Sequence, residues 1–289
     1  MGLSKSLYTN SSKPVFPYQK GPSAPVIAKP FNKAAFVIKV TLISLVLLTI
    51  YGFITFDYKG VNVIDGIYAT LQNFKAMLFE PHFKHLTFAE ALYQVMVTVG
   101  LAFLTTIFGA TMALFLGLFA AQNLSSRRAS NLIKSLAAFV RAVPTVLWVL
   151  IFAVAAGLGS VAAVVGMTFH SVSYLIKAYS ESFEELDKGV IEALKGSGAN
   201  WWQIAFQAVI PSSLGSILSW TFFRFEINFG VAVAMGAAAG AGGIGFDMFM
   251  ASSFYLDLRE IGSITYIVLV FAILLEVFAT RMRNKLKKS

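Results

Sequence analysis

Six separate apolar runs, each about 20 residues or longer, constrain this chain more than any other feature. A helix needs about 20 such residues to cross the hydrocarbon core of a bilayer. The runs lie at about 34–56, 90–121, 132–157, 160–181, 211–238 and 261–280. Only 13% of the 289 residues are charged, against roughly 25% in soluble domains. The expectation is therefore an all-α polytopic membrane protein with six transmembrane helices.

The net charge of +9 would suit nucleic acid if the cations formed one patch, but they sit at the ends and in short loops. Residues 1–39 hold six lysines and no acid, and 281–288 ("RMRNKLKK") hold five cations. The positive-inside rule then places both termini in the cytoplasm, which requires an even number of spans. The segment 122–131 carries Arg127 and Arg128 without an acid and is expected on the cytoplasmic side. The charge-balanced 57–89 and the segment 239–260 are expected outside, and 182–210 inside. The first apolar run is too long for a signal-peptide core, so no cleavable leader is expected. The chain divides into a cytoplasmic arm (1–33), a first span with an external loop (34–89), a core (90–283) and a short cytoplasmic tail (284–289).

On this walk the polar stretch "KGVIEALKGSGANWWQIAFQAVIP" (188–211) falls on the cytoplasmic side between the fourth and fifth spans. Residues 187–194 suit one or two helical turns with acids early, where they complement the helix dipole. Gly196 and Gly198 allow a tight turn. Trp201 and Trp202 suit a membrane interface, and Pro211 suits the first turn of the next helix. The spacing of Glu192-Ala193, Gly198 and Ile210-Pro211 resembles the EAA loop of ABC-importer permeases. Leu194, Ala208 and Ile210 depart from that pattern while keeping size and polarity.

Together with "RAVPTVLWVLIFAVAAGLG" (141–159), "RFEIN" (224–228) and "GAGGIG" (240–245), the stretch resembles the permease of phosphonate-type ABC importers over about residues 90–283. The resemblance implies the type I importer permease architecture in a bacterial inner membrane. It also implies a dimer with a second permease copy or a sister permease, two ATP-binding subunits and an extracytoplasmic substrate-binding protein. The loop at about 182–210, with Glu192, Ala193, Gly196, Gly198 and Pro211, is implied to be the ATPase-coupling element. The chain has no G-x-x-x-x-G-K-[ST] sequence, so ATP and magnesium are expected on the partner subunits and no cofactor in this chain.

"GAGGIG" satisfies G-x-G-x-x-G formally, but an apolar span precedes it where a dinucleotide site needs a strand. Gly240, Gly242, Gly243 and Gly245 are expected instead to form an external gate loop. Arg224, Glu226 and Asn228 fall at mid-span, where ionisable groups are costly and face protein or water. At about 100° per residue Arg224 and Asn228 share a face that Glu226 does not. Arg224 and Asn228, with Tyr174 and His170 of the fourth span, are candidates for the translocation path, and Glu226 for a structural ion pair. The chain has no cysteine, and no second ligand lies near His170 in sequence, so no metal site is expected.

The residues thus point to a transport subunit and not an enzyme in its own right: a permease importing phosphonate or a related phosphorus oxyanion (phosphite, phosphate) by ATP-driven alternating access. Three rivals stand beside it: an ABC permease for another small solute such as an amino acid or thiamine derivative, an ion-gradient secondary transporter, and a membrane scaffold.

Overall fold

A computed structural model describes residues 32–56 and 62–286. The expected arm at 1–33 lies outside the described residues except for its last two positions, as do residues 287–289 of the tail. The chain forms two units, Met1–Val61 and Asn62–Ser289. The first contains α1 (Lys33–Thr55), a 23-residue apolar helix N-capped by Asn32, none of whose residues is buried.

The second unit is a helical bundle. It comprises α2 (Val63–Phe79), α3 (Phe88–Ala120), α4 (Arg127–Ala142), α5 (Thr145–Ala156), α6 (Ser160–Glu184), α7 (Lys188–Gly196), α8 (Trp201–Ile204), α9 (Ile210–Ala239), α10 (Ile244–Ser253) and α11 (Leu258–Leu286). A π turn, Ala205–Val209, joins α8 to α9, so the helix runs without interruption from Trp201 to Ala239. Among the described residues five helices are long and apolar enough to cross a membrane, and there are six spans if the bent pair α4–α5 counts as one.

The third expected span is not one rod. α4 and α5 meet at 88°, because a residue before proline is driven out of the helical region: Val143, ahead of Pro144, has φ −87° and ψ 126°. α5 alone, at 12 residues, is about 18 Å long and cannot cross. Pro211 stands in the first turn of α9 as expected, but α9 continues a longer helical run. That run begins ten residues earlier, at the capping box of Asn200 and Gln203. The π turn lies just ahead of the proline, whose ring cannot follow regular α geometry without meeting the carbonyl four residues back.

Small residues set how close the helices come. A Cβ on Gly109 of α3 would stand 2.9 Å from the Ser171 Cβ of α6, and one on Gly166 of α6 would stand 2.5 Å from the Val149 Cα of α5. The buried residues form two clusters at opposite ends of the bundle. One gathers Leu118, Tyr179, Phe183, Ile191 and Val209; the other gathers Val95, Val149, Met167, Phe229 and Ile264.

Both expected external loops contain helices. α2 occupies most of 57–89 and packs on α11, where the Tyr266 hydroxyl donates to the Leu78 carbonyl at 2.5 Å and Gly262 leaves room for the Met77 carbonyl. Asp65, Gln72 and Lys75 break up its apolar run, which hides it from a search for spans. α10 occupies 244–253 of the other loop.

Candidate translocation and coupling sites

The four residues expected on the path come together where α6 and α9 cross α3. Arg224 is 3% exposed and Asn228 is fully buried. Arg224 Nε donates to Ser171 Oγ at 3.1 Å, and Ser171 Oγ donates to Asn228 Oδ1 at 3.1 Å. Asn228 Nδ2 donates to Thr106 Oγ1 at 2.9 Å, and Thr106 Oγ1 donates to the Ala102 carbonyl at 2.7 Å. Every hydrogen in this line has one direction, because arginine can only donate.

On its other side Arg224 Nη2 lies 3.1 Å from His170 Nδ1. The imidazole nitrogen must therefore accept, leaving the ring proton on Nε2. The Tyr174 ring lies under the guanidinium, 5.1 Å from its carbon to the ring centroid. Neutral groups satisfy Arg224, and no carboxylate of the described residues pairs with it. Glu226 points to α11, with Oε2 3.8 Å from Arg283 Nη2 and without a hydrogen bond. Ser171 and Thr106, which complete the line, carry no signal in the sequence. Their part depends on the register of α3 against α6 and α9.

At one end of the bundle, α7 carries the expected coupling residues. Asp187 caps it, its Oδ1 accepting from Gly189 N at 2.7 Å. Ile191 is buried in the bundle while Glu192 and Ala193 face outward, so one side of α7 is seated and the other open. Gly198 makes the turn after it at φ +87°, whereas Gly196 is the last helical residue and needs no special conformation. Trp201 is buttressed inside the protein: its Nε1 donates to the Leu124 carbonyl at 2.9 Å and its ring stacks on Phe119 at 5.1 Å. Trp202 is the exposed one of the pair. Pro211 is exposed on the far side of the π turn.

At the opposite end, the glycine run turns α9 back into α10. Gly240, Gly242 and Gly243 have positive φ, and Gly240 caps α9 in the left-handed region. Gly243 and Gly245 are buried, against Thr98 and the Val233 carbonyl respectively, where a Cβ would not fit. These two pack the turn against α3 and α9. Thr98 Oγ1 accepts from Ile244 N at 3.0 Å, fixing the turn to α3.

The family described as "binding-protein-dependent transport system inner membrane component" matches residues 113–288, which include α6, the stretch 188–211, α9 and the glycine turn. The chain belongs to this family. It is 29% identical over 190 residues to the phosphate-import permease protein PhnE of Mycolicibacterium smegmatis, covering 65% of this chain and 35% of that one. It is 31% identical over 148 residues to the phosphite transport system permease protein PtxC of Stutzerimonas stutzeri, covering 51% and 53%. It thus spans between about a third and a half of the length of these curated relatives. Among solved structures, the inward-facing MetNI methionine ABC transporter matches with a TM-score of 0.60 at 19% identity, over 66% of this chain and 94% of the matched one. The fold is that of the type I ABC-importer permeases.

Proposed function

We propose that this chain is the membrane-spanning subunit of an ATP-driven importer, and that its cargo is a phosphorus oxyanion such as phosphate, phosphite or a phosphonate. The observation that carries the cargo assignment is Arg224. A buried cation costs several kcal/mol unless it is paired, and among the described residues this one has hydroxyl, imidazole and aromatic partners but no carboxylate. A guanidinium with unused charge and fork geometry suits a passing tetrahedral oxyanion. Two relatives named for phosphate import and phosphite transport point the same way.

The chain works with partners. It dimerises with a second copy or a sister permease, receives cargo from a separate extracytoplasmic binding protein, and docks two ATP-binding subunits that hold ATP and magnesium. Both termini lie in the cytoplasm, so α7 faces the ATPases. Its open face, Glu192 and Ala193 included, enters a groove on the ATPase, and nucleotide-driven closure is passed through Ile191 and Trp201 to α3, α6 and α9. The Arg224 site then opens to alternate sides. The test is reconstitution of the chain with its ATPase and binding protein in liposomes, measuring uptake of labelled phosphate, phosphite and methylphosphonate against an amino acid. ATP-dependent uptake of one of the oxyanions supports the reading. Uptake of the amino acid alone, or uptake driven by an ion gradient without ATP, refutes it.

A further inference from the structure

At the end of the bundle away from α7, the fold brings together four titratable side chains that lie far apart in sequence. His82 and His85 come from the segment between α2 and α3, and Asp257 and Glu260 from the start of α11. Two of the three histidines in the chain are thus in one cluster. Ligand atoms of His85, Asp257 and Glu260 all lie within 4.8 Å of one another, and His82 Nε2 stands 4.0 Å from Asp257 Oδ2.

The four groups divide by how much of their bonding capacity is used. Glu260, 1% exposed, has none to spare. Its Oε1 accepts from the backbone N–H groups of Lys84 (3.3 Å), His85 (2.9 Å) and Leu86 (2.9 Å). Its Oε2 lies 2.8 Å from His85 Nδ1. In the tautomer that donates Nδ1–H to this carboxylate, Nε2 of His85 is the free, electron-rich nitrogen, the arrangement by which a carboxylate orients a metal-binding imidazole. The His85 ring is further held by stacking on Tyr255 at 3.9 Å.

Asp257 uses only Oδ1, which accepts from the N–H groups of Arg259 and Glu260 at 3.1 and 3.2 Å. Its Oδ2 is left facing His82. The 4.0 Å gap between Oδ2 and Nε2 is too long for a hydrogen bond. Tetrahedral zinc holds a nitrogen and an oxygen ligand about 3.3 Å apart on bonds of about 2.0 Å each, so an ion between them draws the two side chains together by about 0.7 Å.

We propose that His82, His85 and Asp257, with Glu260 behind them, bind a borderline divalent cation of the zinc class. Two imidazoles and one carboxylate match zinc, with a water completing four-fold coordination. They do not match calcium or magnesium, which take oxygen ligands in larger number. The bound ion staples the segment 80–87 to the first turn of α11. No such site was expected from the sequence because its halves are some 175 residues apart.

The test uses the full chain in lipid nanodiscs, without a polyhistidine tag and stripped with EDTA. Zinc is titrated by calorimetry, with calcium and magnesium as controls. The expected result is one zinc per chain in the micromolar range, a higher melting temperature with zinc, and no response to calcium or magnesium. The His82 ring makes no hydrogen bond to a described residue, so His82→Gln leaves the fold intact. It is expected to weaken zinc binding by at least about tenfold, with a similar loss in Glu260→Gln through the orienting contact. Absence of zinc binding by the wild-type chain, or equal binding by His82→Gln, overturns the proposal.

Discussion

Arg224 donates to the Ser171 hydroxyl at 3.1 Å, so a buried positive charge on α9 leans on a neutral side chain of α6. The hydroxyl in turn donates to Asn228, one turn along the same helix as Arg224. α6 and α9 are thus tied through one oxygen atom, and replacing it leaves both a guanidinium N–H and an amide oxygen unpaired. A hydrogen bond to a charged group is worth roughly 1.5–3 kcal/mol. Ser171→Ala is expected to destabilise the chain by about 2 kcal/mol. Thermal unfolding in detergent, followed by circular dichroism, should show the loss, and Ser171→Thr should lose less.

The glycines separate into those that make room and those that only turn. A Cβ on Gly166 would meet the Val149 backbone at 2.5 Å, whereas one on Gly240 meets nothing within 4 Å. Gly166→Ala must push α5 off α6 and is expected to cost roughly 3 kcal/mol, as overpacking of a close contact does. Gly240→Ala pays only for the left-handed backbone, about 1 kcal/mol. Comparing the two melting temperatures checks the order, which would reverse if α5 were not seated on α6.

Gly198 holds the turn between α7 and α8 at φ +87°. A β-branched residue is strained there by roughly 1–2 kcal/mol, so Gly198→Val should re-aim α7 while leaving the buried path untouched. In the reconstituted transporter ATP hydrolysis should persist and uptake per ATP should fall. Unchanged uptake per ATP would exclude α7 as the coupling element.

Asp247 on α10, a helix too short to cross the membrane, has an oxygen with no hydrogen-bond partner. Burial, then the negative charges of Glu260 and Glu90, push its carboxyl up to about 6. An unfolded aspartate titrates near 3.9. The folded chain therefore holds this proton more tightly than the unfolded one. The resulting loss of stability is absent below about pH 3.9, grows as pH rises, and is complete above about pH 6. Asp247→Asn should raise the melting temperature at pH 8 in EDTA and leave it nearly unchanged at pH 4.

The long helices, the short helix α7 and the turn at Gly198 were legible in the sequence because their signals are local. Apolar length marks α3, α6, α9 and α11, and the 100° rotation between successive residues put Arg224 and Asn228 on one face with Glu226 away from it. The bend at Pro144 could be read only by weighing one proline against a continuous apolar run, and α2 was hidden by the polar residues that let it lie on α11. The partners of Arg224 were half legible. His170 and Tyr174 stood out as polar residues in a span, but Ser171 and Thr106 gain their role from helix register. The burial of the glycines at 243 and 245 was not legible, because composition does not say which side of a turn is buried.

The unpaired charge of Arg224 is proposed to serve an oxyanion on its way across the membrane. The most direct measurement is ATP-dependent uptake of labelled phosphorus oxyanion by liposomes carrying the complete transporter, with Arg224, Arg224→Lys and Arg224→Gln compared at equal assembly. Arg224→Gln is expected to lose uptake by at least about tenfold, the 1.4 kcal/mol or more that a charged contact contributes, and Arg224→Lys to keep part of it. Full oxyanion uptake by Arg224→Gln would contradict this role.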